Sequence, residues 1–382
     1  MRRLLAACLA GTCLQLHAGV GELERFFQEA TASDAPPSVS LAVLHGSEIV
    51  YERGFGFNDR ERNHPTTPQS VYNLYSLSKI VTATVVMELA GEGRIDLDAP
   101  IQRYFPRFRT FYEAAPREIT VAQLLSHSAG VTDRSEDYRH LFDDARDARL
   151  RAEGGAPAEG YELAYEPGSE ARYANSDFII LGYLVEKVTG ISFEEAVRER
   201  VLLPAGMERS GFEMPAGIGG DEVFGTLRLF SWMGLAMRLM IGDADKAGYE
   251  GTMLWLKRYN VSWSAAGGLK GSAHDMAKFL QATHTLTFFD EAVYRRFLFG
   301  EQVPVRTWFS KFDRVAFGIG WYRLENGGEM FYQHQGIGPG FRNIMRMYPG
   351  YDLSFVILTN QTGTDIDAWA DRVFETFKEE FQ

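Results

Sequence analysis

Apolar residues Leu23, Phe26, Phe27 and Ala30 recur at helical spacing between Gly21 and Ala32, and Pro36-Pro37 ends the run. From Ser38 to Tyr51 the chain alternates or runs apolar around His45-Gly46-Ser47, which predicts a β-hairpin. Phe55-Gly56-Phe57 leads into a loop that delivers the chain to residue 76. Between Ile80 and about Val201 the spacing is mostly helical, clearest at Ile119 to Leu125 and Phe178 to Val188. Strand patterns return at Ala316 to Tyr322, Met330 to Gln333, Asn343 to Met347 and Leu353 to Thr359, and Ala368 to Phe381 closes the chain as a helix. Strands at both ends with helices between predict one mixed sheet, completed by N- and C-terminal segments, with an inserted helical subdomain. Active sites favour the seam between two such layers.

Phe224 to Ile241 reads as a helix whose polar residues Arg228, Ser231 and Arg238 fall near one face, leaving a broad apolar remainder. Two arginines argue against a membrane span. Three readings stay open: a packing helix, a lid over a site, and an interfacial helix making peripheral membrane contact.

Ser76-Leu77-Ser78-Lys79 opens a buried helical pattern. Positions i and i+3 share a helix face, so the hydroxyl of Ser76 and the amine of Lys79 can enter one cleft. A serine at a helix N-terminus also has backbone N–H groups beside it that favour developing negative charge. Nucleophile, nitrogen base and oxyanion donors are what acyl transfer requires. Tyr173-Ala174-Asn175 adds a phenol that could relay a proton and an amide that could hold a substrate carbonyl or the Lys79 amine. On its own this tripeptide reads first as a core tyrosine with a capping asparagine. His334-Gln335-Gly336, followed by Ile337-Gly338-Pro339-Gly340-Phe341, reads as a strand end where glycines admit close backbone approach. There the Ile337 N–H could pair with that of Ser76 as an oxyanion hole. Leu124-Leu125-Ser126-His127-Ser128-Ala129-Gly130 reads as scaffold.

The 382 residues are 45% hydrophobic and 24% charged, an ordinary globular balance, with room for one large core or two intimate subdomains. A net charge of −12 without a basic patch argues against a nucleic-acid partner. Met1-Arg2-Arg3 followed by Leu4 to Ala10 has the layout of a secretory signal, with cleavage expected after Ala18 and a periplasmic or secreted product. Both cysteines, Cys8 and Cys13, lie in that segment, so a processed chain would have no disulfide and no thiolate metal site. The histidines are scattered without the paired spacing of a zinc hydrolase, and neither cofactor nor metal is expected. The nearest approach to a Gly-x-Ser-x-Gly elbow, Ser126 to Gly130, lacks its first glycine, which removes the α/β-hydrolase alternative.

In order along the chain, Ser-x-x-Lys, Leu-Leu-x-His-x-x-Gly, Pro-Gly-x-x-x-x-Tyr-x-Asn and His-x-Gly-x-x-x-Gly-Phe resemble the serine β-lactamase-like family of class C β-lactamases, DD-peptidases and related esterases. Ala266-Gly267-Gly268-Leu269 with Asp275, Phe317 to Trp321 and Val356 to Asn360 are similar too; Met214 to Val261 is not. The resemblance implies an α+β, β-lactamase-like fold, a mainly antiparallel sheet flanked by N- and C-terminal helices with an inserted all-α subdomain. A single catalytic domain would run from 19 to 382, its α/β part at about 22–75 and 265–382 and its helical part at about 76–264. It also implies that Ser76 is acylated, that Lys79 and Tyr173 exchange its proton, and that Asn175, His334, Gly336 and Ile337 bind substrate. His334 stands where class C β-lactamases place a lysine, and Gln335 where they place a threonine. A lysine there is a fixed cation for the lactam carboxylate, whereas histidine is largely neutral at pH 7. The departure points away from efficient β-lactam hydrolysis, and with the apolar Phe224–Ile241 stretch it favours a carboxylesterase-type activity on small esters or amides ahead of a DD-peptidase, a D-aminopeptidase or a weak β-lactamase. A β-lactam-acylated sensor is the non-enzyme alternative. Free lysine titrates near 10.4 and tyrosine near 10, so the chemistry requires Lys79 enclosed, within hydrogen-bond reach of Ser76, with Tyr173 against both.

Overall fold

The computed structural model describes residues 19–382 apart from 34, 134–160, 215–216, 239–240, 301, 306–310, 380 and 382. The expected export signal, residues 1–18, lies outside the described residues. Eight strands form the main sheet: β1 (Ser38–His45), β2 (Glu48–Gly56), β3 (Val303–Pro304), β4 (Arg314–Phe317), β5 (Tyr322–Asn326), β6 (Glu329–Gly338), β7 (Phe341–Tyr348) and β8 (Leu353–Thr359). Their order is β3-β4-β5-β6-β7-β8-β1-β2, antiparallel at every step. The N-terminal hairpin thus completes a sheet begun by the C-terminal strands, as the strand patterns at the two chain ends predict. Its turn is Gly46-Ser47, and Gly46 has a φ of +56°, a conformation that glycine adopts without steric cost.

β1 and β8 are buried on both faces, which is why they read as apolar runs rather than alternations. Val39, Leu41 and Val43 face one core, shared with helix α1 (residues 19–32) and the C-terminal helix. Ala42 and Leu44 face the other, shared with α2 (Ser78–Gly91), α3 (Asn175–Thr189) and α4 (Ala273–His284). The C-terminal helix, α5 (Ile366–Lys378), is strongly amphipathic and buries Trp369, Val373, Phe374 and Phe377. Helix α2 is buried from Ser78 to Met87 and at Leu89, with no solvent-facing polar stripe, the signature of a helix enclosed by protein.

Two expectations need correction. The inserted region is not all-α: it also carries a three-stranded sheet of Thr110–Tyr112, Ala115–Arg117 and Tyr161–Glu162, and another of Thr226–Arg228, Lys246–Glu250 and Met253–Leu256. Nor is Phe224 to Ile241 one helix. Thr226–Arg228 pairs as a strand with Met253–Leu256, and only Trp232–Arg238 is helical. The cause is tertiary: Thr226 N–H donates to the carbonyls of Gly340 and Asn360, stitching the segment to the main sheet instead of to its own next turn. Leu227, Ile241, Leu254 and Leu256 then form a small separate core. No helix among the described residues is long and apolar enough to cross a membrane.

Strand propensity also overran one turn. Ala316 to Tyr322 splits into β4 and β5, because Gly320, at φ +73°, lies where a Cβ would come within 2.8 Å of Ala83 on α2.

Candidate active site

Val71–Asn73 pairs with Lys270–Ser272, and this short ribbon feeds a 3₁₀ turn, Tyr75–Leu77, that runs straight into α2. Tyr75 has a φ of +49°, uncommon and strained for a residue with a side chain. Its surroundings over-determine it. The Tyr75 hydroxyl bonds Tyr259 Oη at 2.6 Å and donates to the Pro339 carbonyl at 3.1 Å. β6 lies against the turn so closely that a Cβ on Gly336 would meet the Leu74 carbonyl at 2.0 Å, and one on Gly338 the Tyr75 ring at 2.0 Å. The sheet and the nucleophile turn are therefore in direct contact, and Ser76 is held at the seam.

Around Ser76 the three expected groups converge. Lys79 Nζ lies 3.2 Å from Ser76 Oγ, and the Tyr173 hydroxyl donates to the same oxygen at 2.5 Å. Lys79 also donates to Asn175 Oδ1 at 2.8 Å and to the Ala266 carbonyl at 2.6 Å, and its amine sits 4.8 Å from the Tyr173 ring centroid. It is fully buried. Burial lowers its pKa to about 7, although the charge of Asp133 acts in the opposite direction. Two of its hydrogens are taken by Asn175 and Ala266 whether or not it is charged. In the neutral amine the remaining valence is a lone pair directed at Ser76 Oγ, the geometry of a base.

Asp133 fixes this arrangement from behind. Its Oδ2 accepts from the backbone and side-chain amides of Asn175 at 3.0 and 2.9 Å, and its Oδ1 from Ser176 N and Oγ at 2.8 and 3.0 Å. A carboxylate at the start of α3 satisfies otherwise orphaned N–H groups, complements the helix dipole, and turns Asn175 Oδ1 toward Lys79. Nothing in the sequence singled out Asp133; it lies in a loop without periodicity. His127, read as scaffold, lies directly under Tyr173, their ring centroids 4.7 Å apart.

The other wall of the cleft is the end of β6. β5 pairs with β6 no further than Tyr322↔Gln333, whereas β7 continues to Gly338↔Phe341. The edge from His334 to Gly338 therefore faces the cleft. The two-residue turn Pro339-Gly340 makes Gly338 and Phe341 a hydrogen-bonded pair, so by antiparallel alternation Ile337 directs its N–H away from β7, into the cleft.

His334 is 1% exposed, and burial, with Lys79 adding to it, lowers its pKa to about 3. Its Nδ1–H donates to the Gln335 carbonyl at 2.8 Å. It is neutral and supplies no fixed cation, as its residue type suggested. The cleft has a volume of about 1070 Å³, with Val131, Trp263, Met233, Met237 and Ile337 on its apolar surface. Arg342, cross-strand from Ile337, brings a guanidinium to its rim. One Arg342 nitrogen donates to Gln335 Oε1 at 3.0 Å, while its buried Nε has no partner.

A sheet packed against a helical region, with a serine, a buried lysine and a tyrosine at the seam, is the arrangement that the sequence resemblance to the β-lactamase fold led us to expect. A family model described as Beta-lactamase matches residues 23–376, and the chain belongs to that family. Protein flp of Staphylococcus aureus (strain MW2) is 26% identical over 179 residues, 46% of this chain and 35% of that protein. Esterase EstB of Burkholderia gladioli is 31% identical over 226 residues, 55% of this chain and 56% of that protein. The chain thus spans about a third of one relative's length and little over half of the other's. In fold it is similar to the D-amino acid amidase from Ochrobactrum anthropi SV3, with a TM-score of 0.74 at 21% identity over 95% of this chain and all (100%) of that one. It is also similar to the octameric penicillin-binding protein homologue from Pyrococcus abyssi, with a TM-score of 0.72 at 24% identity over 95% of this chain and 79% of that one.

Proposed function

We propose that the protein is a carboxylesterase-type serine hydrolase that cleaves small esters or amides through an acyl-enzyme on Ser76. The observation that carries this reading is the pair of contacts on Ser76 Oγ, from a buried amine with a pKa of about 7 and from a phenol. Neutral Lys79 takes the Ser76 proton as Oγ attacks the substrate carbonyl carbon, and the backbone N–H groups of Ser76 and Ile337 hold the oxyanion. Collapse expels the leaving alkoxide or amine, which receives a proton from the Tyr173 hydroxyl, and the proton held on Lys79 restores the phenol. Water then repeats the sequence on the acyl-enzyme, and Asn175 keeps the amine aimed at Oγ throughout. The apolar lining and the neutral His334 favour an uncharged acyl group, and the similarity to Esterase EstB agrees with ester chemistry.

One observation favours a second reading. Arg342, whose guanidinium lines the cleft, suits a substrate that carries a carboxylate, as a D-amino-acid peptide or a β-lactam does. A panel of a short-chain nitrophenyl ester, a D-Ala-D-Ala peptide and a chromogenic cephalosporin separates the two. Ester turnover exceeding the others supports the esterase reading; fast cephalosporin or peptide turnover with little ester cleavage overturns it. A single stoichiometric acylation without release of free Ser76 would instead indicate a sensor. We also propose that residues 1–18 direct export, which N-terminal sequencing of the mature protein tests.

A further inference from the structure

His127 is fully buried and has a φ of +52°. That unusual backbone turns its carbonyl and its ring toward the same neighbouring segment. Arg172 N–H donates to the His127 carbonyl at 2.9 Å, and Ala174 N–H donates to His127 Nδ1 at 3.3 Å. The peptide groups on both sides of Tyr173 are thus anchored to one residue, and the tyrosine ring rests on the imidazole between the two anchors. The Tyr165 hydroxyl gives the same carbonyl a further donor at 2.8 Å.

The second anchor fixes a proton. A nitrogen that accepts from Ala174 N–H carries no hydrogen of its own. Yet Nδ1 also lies 2.7 Å from Asp177 Oδ2, a distance that requires a hydrogen between them. With Nδ1 bare, that hydrogen belongs to the carboxyl oxygen; the single Nδ1 lone pair is then shared between this short bond and the longer one from Ala174 N–H, and the ring proton sits on Nε2, which has no partner among the described residues. Asp177 is 1% exposed and its other oxygen has no partner, a setting that an ionised carboxylate tolerates poorly.

We propose that His127 is the positioning residue for Tyr173, and that Asp177, as a protonated acid donating to Nδ1, holds the imidazole in the tautomer this requires. The pair is neutral, so the helix that presents Asn175 places no second full negative charge beside Lys79. The charged and titratable groups facing the pair agree. Burial and the Lys79 charge hold the His127 imidazole neutral, and burial together with the Asp133 charge pushes the Asp177 carboxyl well above its usual range. Only Lys79 acts the other way on Asp177.

The inference rests on the catalytic reading for the role of Tyr173, but its first test does not. Nitrogen-15 NMR of the histidine-labelled full chain, with the ring assigned through the Ser126-His127 dipeptide, should show His127 neutral with Nδ1 bare and Nε2 protonated from pH 6 to 9. An Nδ1–H tautomer, or a positively charged ring, would overturn the assignment whatever the enzyme does. The second test is rescue. Asp177→Ala should lower kcat for the ester about tenfold or more with little change in KM, and Asp177→Asn, whose amide can still donate to Nδ1, should recover most of that loss. An asparagine variant no better than the alanine one would mean that Asp177 acts as an ionised acceptor. If neither the wild type nor any variant turns over ester, the esterase reading fails while the NMR result still decides the proton's place.

Discussion

Replacing Lys79 with methionine keeps the stem and removes the amine, and its effect on stability should depend on pH in a way set by the lowered pKa. The unfolded chain binds the lysine proton up to the ordinary lysine value of about 10.5, whereas the folded protein releases it at about 7. Below pH 7 both states hold the proton and the folded state bears the full cost of a buried charge, about 5 kcal/mol for that difference in pKa. Between the two values the unfolded state binds more protons, so wild-type stability climbs relative to the variant by up to about 1.4 kcal/mol per pH unit. Integrated from pH 7 to 9 the gain is about 2 kcal/mol. Methionine also removes the Lys79 hydrogen bonds to Ser76 Oγ, Asn175 Oδ1 and the Ala266 carbonyl, at about 1 kcal/mol each, a pH-independent loss, while Ser76 Oγ keeps the Tyr173 hydroxyl. The variant should therefore be the more stable protein by about 2 kcal/mol at pH 5 and lose that lead near pH 8 to 9. Urea unfolding of both proteins at half-unit pH intervals measures this, since other titrations largely cancel in the difference. A stability difference that stays flat between pH 7 and 9 would refute the perturbed lysine, and with it the base in the mechanism.

The kcat/KM of ester hydrolysis should rise through an acid limb with a midpoint near pH 7, as Lys79 deprotonates; a limb centred near pH 5 would assign the base to another group. Tyr173→Phe should lower kcat by about 10²-fold or more while KM stays within a few-fold, measured by steady-state ester hydrolysis. Ser76→Ala should abolish ester turnover and labelling by a fluorophosphonate, with residual labelling placing the nucleophile elsewhere. Gly338→Ala drives a methyl group into the Tyr75 ring, which its hydroxyl bonds prevent from moving aside. It should cost about 3 kcal/mol in urea unfolding and slow acylation of Ser76 in the molecules that remain folded.

The main sheet was legible because its strands are either buried on both faces or bounded by glycine turns: the hairpin about Gly46 and the run Leu353 to Thr359 stand where the pattern places them. Ser76, Lys79, Tyr173 and Asn175 were legible from residue type and order, and the structure brings them within hydrogen-bond reach of one another. Three things were not. The strand at Thr226–Arg228 takes its partners from chain segments remote in sequence, which a local helical stripe cannot foresee. Asp133 acts through a loop that carries no periodic signal. His127 looked like scaffold because its importance lies in a left-handed backbone and in two peptide hydrogens from residues 172 and 174, neither of which a side-chain motif records.

The early end of the β5–β6 pairing has a consequence for how selectivity can change. On the proposed mechanism, whatever enters beside Ser76 meets main chain first: an open strand margin that would hold an acyl group through atoms every residue possesses. Recognition of the bond to be broken is thereby uncoupled from recognition of what hangs on either side of it. The methionines, aromatics and arginine of the surrounding walls can be exchanged to suit new molecules, while the part that handles the reacting carbon stays as it is.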